Sequence, residues 1–477
     1  DKGRYSRSLC RICQKGEAQF FRLSPFNEAK YNALLEGLEI SEILKSDLEY
    51  SGRIDSEYYR KHLLSFENQV CKNIYSSLDS VANFLIGPFG SAFNTENYVD
   101  NGEYRYVRGQ DVKPFILKDG ENRFVPFDDF ERLKKYALKE KDILVSVVGT
   151  LGNACIVQTK DLPAIFSCKS TVIRTSGINP VYTLTFLNCK YGRELLIRKE
   201  RGAIQKGLNL DDLKTILVPI YSDSFQKTIE KAFYIAQDKL TESKLLYNKA
   251  ENLLLETIGL NNFQPNTDPV NVKSFKDSFG STGRLDAEYY QKKYEEVVSH
   301  ITKQKYDRLA NIVNIKKSIE PGSDAYSDEG LPFIRVSDYN KFGLSEPDKK
   351  LAPSFCKENA ALLAELKPKK ETILFSKDGS VGTAYMLRSD KDFITSGAIL
   401  HLTVKDKKQI IPEYLTLALN SKLVQMQAER DAGGSIILHW RIGEIENVVV
   451  PIIDYKKQEQ IAALVDESFS LKKQSEQ

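Results

Sequence analysis

The chain has little of what catalysis or export requires. Histidine occurs four times in 477 residues, as His62, His300, His401 and His439, and no two of them stand at metal-ligand spacing. No Ser or Cys sits in a nucleophile elbow, no P-loop is present, and no glycine-rich cofactor loop follows a strand. These gaps argue against covalent chemistry, and no catalytic residue is assigned. Cysteine is also uninformative: seven residues, an odd number spread over a long chain, read as reduced thiols rather than a disulfide frame. Cys10-x-x-Cys13 is half of a zinc knuckle, but a second pair is missing and only His62 and Cys71 lie nearby, so no metal site is assigned. No run of about 18 apolar residues occurs and no signal-like segment opens the chain, so neither a membrane span nor export is expected, and the cytoplasm follows by default. Nor does one sign of charge prevail. Lys plus Arg number 68 against 65 Asp plus Glu, a net charge of +3, so any basic surface must be local.

Proline and glycine are themselves absent from 222–258, and this gap is informative. The stretch is dense in Lys, Glu, Gln and Leu, and it places Ile229, Phe233, Ala236, Leu240, Tyr247, Ala250 and Leu254 at three- and four-residue steps. It predicts one amphipathic helix of roughly 54 Å, longer than a single domain needs. A second such pattern begins at Tyr455 with Gln458, Ile461, Leu464, Val465, Ser468 and Leu471. The heptad-like steps favour two helices packed as a coiled coil.

The sequence on either side of that helix repeats itself after about 230 residues. Gly52-Arg53-Ile54-Asp55-Ser56-Glu57-Tyr58-Tyr59 returns as Gly283-Arg284-Leu285-Asp286-Ala287-Glu288-Tyr289-Tyr290. Tyr106-Val107-Arg108 with Asp111 returns as Phe333-Ile334-Arg335 with Asp338, and Gly149-Thr150-Leu151-Gly152 as Gly379-Ser380-Val381-Gly382. Pro180, Tyr182, Leu187 and Asn188 meet Pro412, Tyr414, Leu419 and Asn420; Val218-Pro219-Ile220 meets Val450-Pro451-Ile452. The chain is therefore a tandem duplication of a globular unit followed by a long helix.

The predicted organisation is an N-terminal segment (1–50), a first globule (51–221), a spacer helix (222–260), a linker with the second globule (261–453), and a C-terminal spacer helix (454–477). The chain opens on Asp1 rather than Met, which reads as a processed or cut amino terminus, and 28–38 echoes the spacer's end at 249–260. Within the first globule, short β-rich runs at 104–107, 143–148, 154–157 and 170–174 precede a helix at 181–201. The second repeats the order with 333–336, 372–376, 383–387 and 398–404, then a helix at 413–428. Short strands with glycine-marked turns suit an α+β fold whose small sheet carries many loops.

Two apparent catalytic motifs fail on inspection. Asn179-Pro180-Val181-Tyr182 resembles the Asn-Pro-Pro-Tyr loop of amino-methyltransferases without its second proline, and a proline in the first turn of a helix explains it. Pro347-Asp348 with Glu365-Leu366-Lys367 meets a nuclease pattern only loosely, with its Glu-x-Lys in a helical stretch.

Binding groups are better supplied. Arg105, Arg108 and Gln110 stand at a strand end, where guanidinium and amide groups match guanine and adenine edges. Arg198, Lys199, Arg201 and Lys206 surround a glycine loop after a helix, suited to phosphates, with Gln205 free for a base. The same place in the second globule holds Arg430, Gly433, Gly434, Ser435, His439, Trp440 and Arg441. Lys169, Lys316, Lys317 and Lys377 add local positive charge. Thr150, Asn153, Arg335, Ser337 and Ser380, in or beside the repeated turns and strand ends, complete the candidate DNA contacts.

The duplicated globules, the Gly-Arg-Ile/Leu-Asp-x-Glu-Tyr-Tyr openings, the Gly-Thr/Ser-x-Gly turns, the Val-Pro-Ile closings and the two helical spacers together resemble the specificity subunit of type I restriction-modification enzymes, HsdS. The resemblance covers about residues 40–477. It implies two target recognition domains in pseudo-twofold relation, separated by antiparallel coiled-coil spacers, each reading one half of a split sequence in double-stranded DNA. It further implies two modification (methyltransferase) subunits docked on the spacers, and restriction subunits joined through them. S-adenosylmethionine, ATP and magnesium would sit on those partners, with no cofactor on this chain. The alternative is the DNA-recognition portion of a fused type II restriction enzyme and methyltransferase; a third is a scaffold that binds proteins only.

Overall fold

The computed structural model describes residues 27–89, 92–202, 206–268, 270–434 and 436–477, and the Cys10 and Cys13 pair lies outside them. The chain divides into two compact units, 1–234 and 235–477. The division falls inside the long helix Asp223–Thr257, which is 35 residues long. Phe233 is buried in the core of the first unit, and Tyr247, Ala250, Leu254 and Ile258 are buried in the core of the second. Among the described residues, no helix is long and apolar enough to cross a membrane.

The first unit is built on a four-stranded antiparallel sheet in the order Ala82–Ile86, Ser170–Thr175, Ile143–Ser146, Ala154–Ile156. Two rows of side chains cross it. Phe84, Ile173, Ile143 and Ile156 pack toward helix Pro180–Asn188. Leu85, Val172, Leu144 and Cys155 face a second core, with Val107 and Phe166, which belong to a three-stranded sheet. That sheet has Tyr104–Val107 at its centre, between Arg123–Val125 and Ala164–Phe166. Burial on both faces is why these strands read as unbroken apolar runs.

The second unit has its own four-stranded sheet of the same order: Val313–Lys317, Ile399–Val404, Ile373–Ser376, Ala384–Met386. A second four-stranded sheet of shorter strands runs Tyr326–Ser327, Lys350–Leu351, Leu331–Ile334, Ile394–Thr395. Each unit is closed by a short antiparallel pair, Tyr75–Ser77 with Leu217–Pro219 and Tyr306–Arg308 with Val449–Pro451. A tyrosine hydroxyl locks each closing proline, Tyr182 to the Pro219 carbonyl at 2.7 Å and Tyr414 to the Pro451 carbonyl at 2.8 Å.

The helices expected at 181–201 and 413–428 are each broken in two. Cys189 adopts extended backbone (φ −70°, ψ 164°) between Pro180–Asn188 and Lys190–Arg198. Ser421 does the same between Pro412–Asn420 and Lys422–Asp431. The cause is the repeated asparagine before each break. The Asn188 amide donates to the Ala154 carbonyl at 2.9 Å and that of Asn420 to the Ala384 carbonyl at 2.8 Å, tying the helix end to a strand. The Asn-Pro-Val-Tyr sequence proves to be a helix cap: the Asn179 side chain accepts from the amides of Val181 and Tyr182 at 2.9 and 3.1 Å.

In the second unit the C-terminal helix Tyr455–Glu476 meets the end of the long helix. The Ser468 hydroxyl donates to the Ser243 carbonyl at 2.7 Å, Lys239 bonds Gln474, and the Tyr247 and Phe469 rings lie 6.5 Å apart. Positions 239, 243 and 247 of the long helix thus meet 474, 468 and 469 of the C-terminal helix. Ile461 and Val465 join Ala250 and Leu254 in one core.

His401 occupies, in the second sheet, the buried row that Val172 occupies in the first. It is 5% exposed, its Nε2 is 2.8 Å from the Thr395 hydroxyl, and burial, with Lys316 nearby, pushes its pKa down to about 4. A histidine held neutral by the fold binds its proton more readily when unfolded. Stability contributed here is therefore complete above the ordinary pKa and falls as the pH drops from about 6.5 toward 4, by up to roughly 3 kcal/mol. Urea unfolding of wild type and His401→Gln across that range checks this: the variant should lose that part of the acid sensitivity.

Candidate nucleic-acid interface

Loops gather at one end of each four-stranded sheet. In the first unit the Val147 amide bonds the Lys169 carbonyl at 2.9 Å, and the Leu208 amide bonds the Val147 carbonyl at 3.0 Å. Arg201 and Gly207 exchange two backbone bonds of 2.8 Å, an antiparallel bridge. Gly109 lies so close to Lys169 that a Cβ would come within 2.6 Å of the lysine's own. Arg108, Gln110, the Gly149–Gly152 turn, Lys169 and the Arg201–Gly207 bridge are thus brought together. In the second unit the Lys377 amide bonds the Ala398 carbonyl, the Trp440 amide bonds the Lys377 carbonyl, and the Gly379 amide bonds the Leu438 carbonyl, at 2.9, 2.7 and 2.9 Å. Gly433 and His439 form an antiparallel bridge there.

Burial sorts the candidate contacts. Arg105 and Asn153, expected at the DNA surface, are 5% exposed and structural. The Arg105 guanidinium reaches the Asp161 carboxylate at 3.1 Å and the Lys118 carbonyl at 2.6 Å. Asn153 donates to the Val112 carbonyl and accepts from Arg193 at 3.0 Å. Arg198 and Lys199 are likewise buried, Arg198 against Glu67 and Lys199 against the Tyr58 hydroxyl. Lys377 is only 16% exposed and paired with Asp378. Such placements correct the sequence reading, because a cation that must leave a buried partner to meet a phosphate loses more than it gains.

Other candidates are at the surface but tethered. Arg108 and Arg335 fold back on Asp111 and Asp338, whose carboxylates also accept from their backbone amides at 2.8 Å. The Asp111 bond raises the Arg108 pKa, as the Asp212 bond raises that of Arg201. Arg201 pairs with Asp212, Lys206 with Glu200, and the Lys316 ammonium donates to the Glu365 carbonyl at 2.8 Å. The Ser337 hydroxyl donates to Asp338, and His439 Nδ1 lies 2.9 Å from Asp378. Gln110, Thr150, Lys169, Lys317, Ser380 and Arg441 are exposed. Among the described residues, Lys169, Lys317 and Arg441 stand in no ion pair. Gln205 and Ser435 lie outside the described residues.

The repeated opening motif, which the sequence marks without giving it a task, secures the chain just before each bridge. Arg53 is bidentate to Asp55 at 2.8 and 2.5 Å and donates to the Lys199 and Glu200 carbonyls at 3.2 and 2.8 Å, at the end of helix Lys190–Arg198. Its guanidinium and that of Arg198 stand 4.6 and 4.1 Å from the Tyr58 ring centre, and the Tyr59 hydroxyl donates to the Arg53 carbonyl at 3.0 Å. The second unit repeats each step. Arg284 is bidentate to Asp286, donates to the Asp431 carbonyl at 2.9 Å, and shares the Tyr289 ring with Arg430 at 4.5 and 5.1 Å. A fixed cation suits the negative end of a helix, and the planar guanidinium suits both ring and carbonyls.

Sequence reasoning also missed the apolar residues spanned by the second bridge. Ile436, Ile437 and Leu438 are exposed, Ile436 at 95%. The signal was available: three aliphatic residues follow Gly-Gly-Ser, where a loop should be polar.

Residues 303–477 match the family model of the type I restriction modification DNA specificity domain. No curated protein matches the chain. Among solved structures it is similar to the type I restriction-modification system S subunit from M. genitalium, with 15% identity over 84% of this chain and 91% of that one and a TM-score of 0.40. It is also similar to the HsdS subunit from Thermoanaerobacter tengcongensis, with 14% identity over 84% and 90% and a TM-score of 0.27.

The two kinds of arginine should respond differently to removal. Arg105→Met leaves Asp161 buried without its partner and should cost about 3–5 kcal/mol, whereas Arg201→Met, which removes a guanidinium that is 45% exposed, should cost less. Urea unfolding of both variants, read against wild type, tests whether burial sets the difference.

Proposed function

We propose, on the premise that the chain belongs through residues 303–477 to the type I restriction modification DNA specificity family, that it is the non-catalytic specificity subunit of such a system. Each unit reads one half of a bipartite duplex target, and the two units stand in pseudo-twofold relation. The long helix and the C-terminal helix act as an antiparallel coiled-coil spacer that fixes the gap, as half-site spacing follows from protein geometry. Two modification subunits dock on the spacer, and restriction subunits join through them. S-adenosylmethionine, ATP and magnesium belong to those partners.

The observation that carries this reading is the recurrence, in both units, of one sheet order and one loop cluster that differ in their exposed side chains. Both clusters have an Arg-x-x-Asp loop, a Gly-Thr/Ser-x-Gly turn and a backbone bridge that follows an arginine clamp. Between them, Gln110, Thr150 and Lys169 in the first give way to Ser337, Ser380, Lys317, His439 and Arg441 in the second. A common mount with different contact groups is what reading two unlike half-sites requires. Lys169 and Lys317 are the phosphate contacts, since they need break no ion pair to reach DNA.

Methylome sequencing of the source cell with and without this chain should show a bipartite motif with a constant gap that vanishes on deletion; a continuous motif, or none, rejects the reading. Lys169→Ala and Lys317→Ala should each reduce the slope of log affinity against log salt by about 1, at unchanged sequence preference and unchanged stability. Titrations of the full chain with its modification subunits at several salt concentrations measure this.

A further inference from the structure

The apolar tip between Gly433 and His439 of the second unit is unlike anything a phosphate contact needs. Ile436, Ile437 and Leu438 are 95%, 55% and 40% exposed and consecutive. They are also rigidly presented. Gly433 and His439 bond one another's backbone at 3.0 and 2.7 Å, the Leu438 carbonyl accepts from Gly379, and Trp440, 1% exposed and 5.7 Å from the Phe375 ring, anchors the following residue in the core. Gly434 has φ +136°, and a Cβ there would come within 2.1 Å of the Ile437 carbonyl oxygen, so the turn is drawn tight under the tip. Holding three aliphatic side chains in water is unfavourable, and covering them would be favourable.

We propose that Ile436 and Ile437 form a wedge that enters the duplex at one base step of the half-site read by the second unit, partly unstacking and kinking it. The proposal rests on the specificity reading above. Three features favour DNA as the occupant. A tip of three side chains is far smaller than the roughly 800 Å² per partner that a stable protein interface covers. Its exposure is greatest at a single side chain, Ile436, which suits insertion rather than apposition of faces. The polar groups flanking it in sequence, His439 and Arg441, are exposed and suited to a polyanion. Isoleucine and leucine are among the side chains that proteins insert between base pairs, and the cost of unstacking is recovered by contacts that the bend allows. The kink would make recognition sensitive to how easily that step deforms, at a position where no hydrogen bond is made.

The test uses the full chain with its modification subunits and duplexes carrying the target from the methylome, with 2-aminopurine placed at successive steps. Wild type should raise the fluorescence at one step of one half-site. I436S/I437S should abolish that rise and weaken target binding about tenfold or more, while affinity for non-specific duplex of the same length stays the same. Both side chains are exposed, and an unchanged melting temperature will confirm intact folding. Unchanged fluorescence and affinity in the variant overturn the proposal. So does loss of modification-subunit binding by the variant at unchanged DNA affinity, which would make the tip a protein contact. If the wild-type complex selects no duplex at all, the specificity reading falls first, an outcome distinct from either of these.

Discussion

Each unit depends on an arginine that lies far in sequence from what it holds. Arg53 and Arg284 close contacts with chain some 150 residues downstream, at the last carbonyls of a helix, and each is held flat by a tyrosine ring and by its own aspartate. A lysine could supply the charge there but could not stack, chelate a carboxylate and bond carbonyls at once. The loop cluster begins immediately after those carbonyls. The clamp thus turns the meeting of two distant segments into a fixed origin for each bridge.

The same economy governs charge. The chain is rich in Lys and Arg but nearly neutral, and within both loop clusters most cations are already engaged by aspartate, glutamate or main-chain oxygen. Burial separates the roles: Arg105, Arg198 and Lys199 hold the fold together, Arg108 and Arg335 shape strand ends, and Lys169 and Lys317 remain open. A small net charge is compatible with DNA binding under these conditions, because only cations that lack a partner can release counterions from the phosphates.

The duplication, the two helices and the strand runs were legible because they rest on period and repetition, which a sequence displays directly. The breaks at Cys189 and Ser421 were not, since they depend on Asn188 and Asn420 reaching a strand carbonyl across the core. For helix Asp223–Thr257, periodicity gives the apolar stripe but not which core covers each part of it. At the site, side-chain type identified the right loops, while the destination of each guanidinium was decided by distant carboxylates. Arg105 lies next to a surface loop in sequence, yet its partner Asp161 is 56 positions away. The tip at Ile436 was visible as an oddity of composition and had no meaning until its exposure was known.

Gly434 has a wider consequence. The flanks of 436–438 are held by a backbone angle that side-chain-bearing residues avoid and by main-chain bonds, none of which uses the side chains of 436–438. Mutations there can alter what is touched without loosening the mount, so new binding preferences can be sampled with little loss of foldability. A surface of this kind lets selection explore recognition separately from stability.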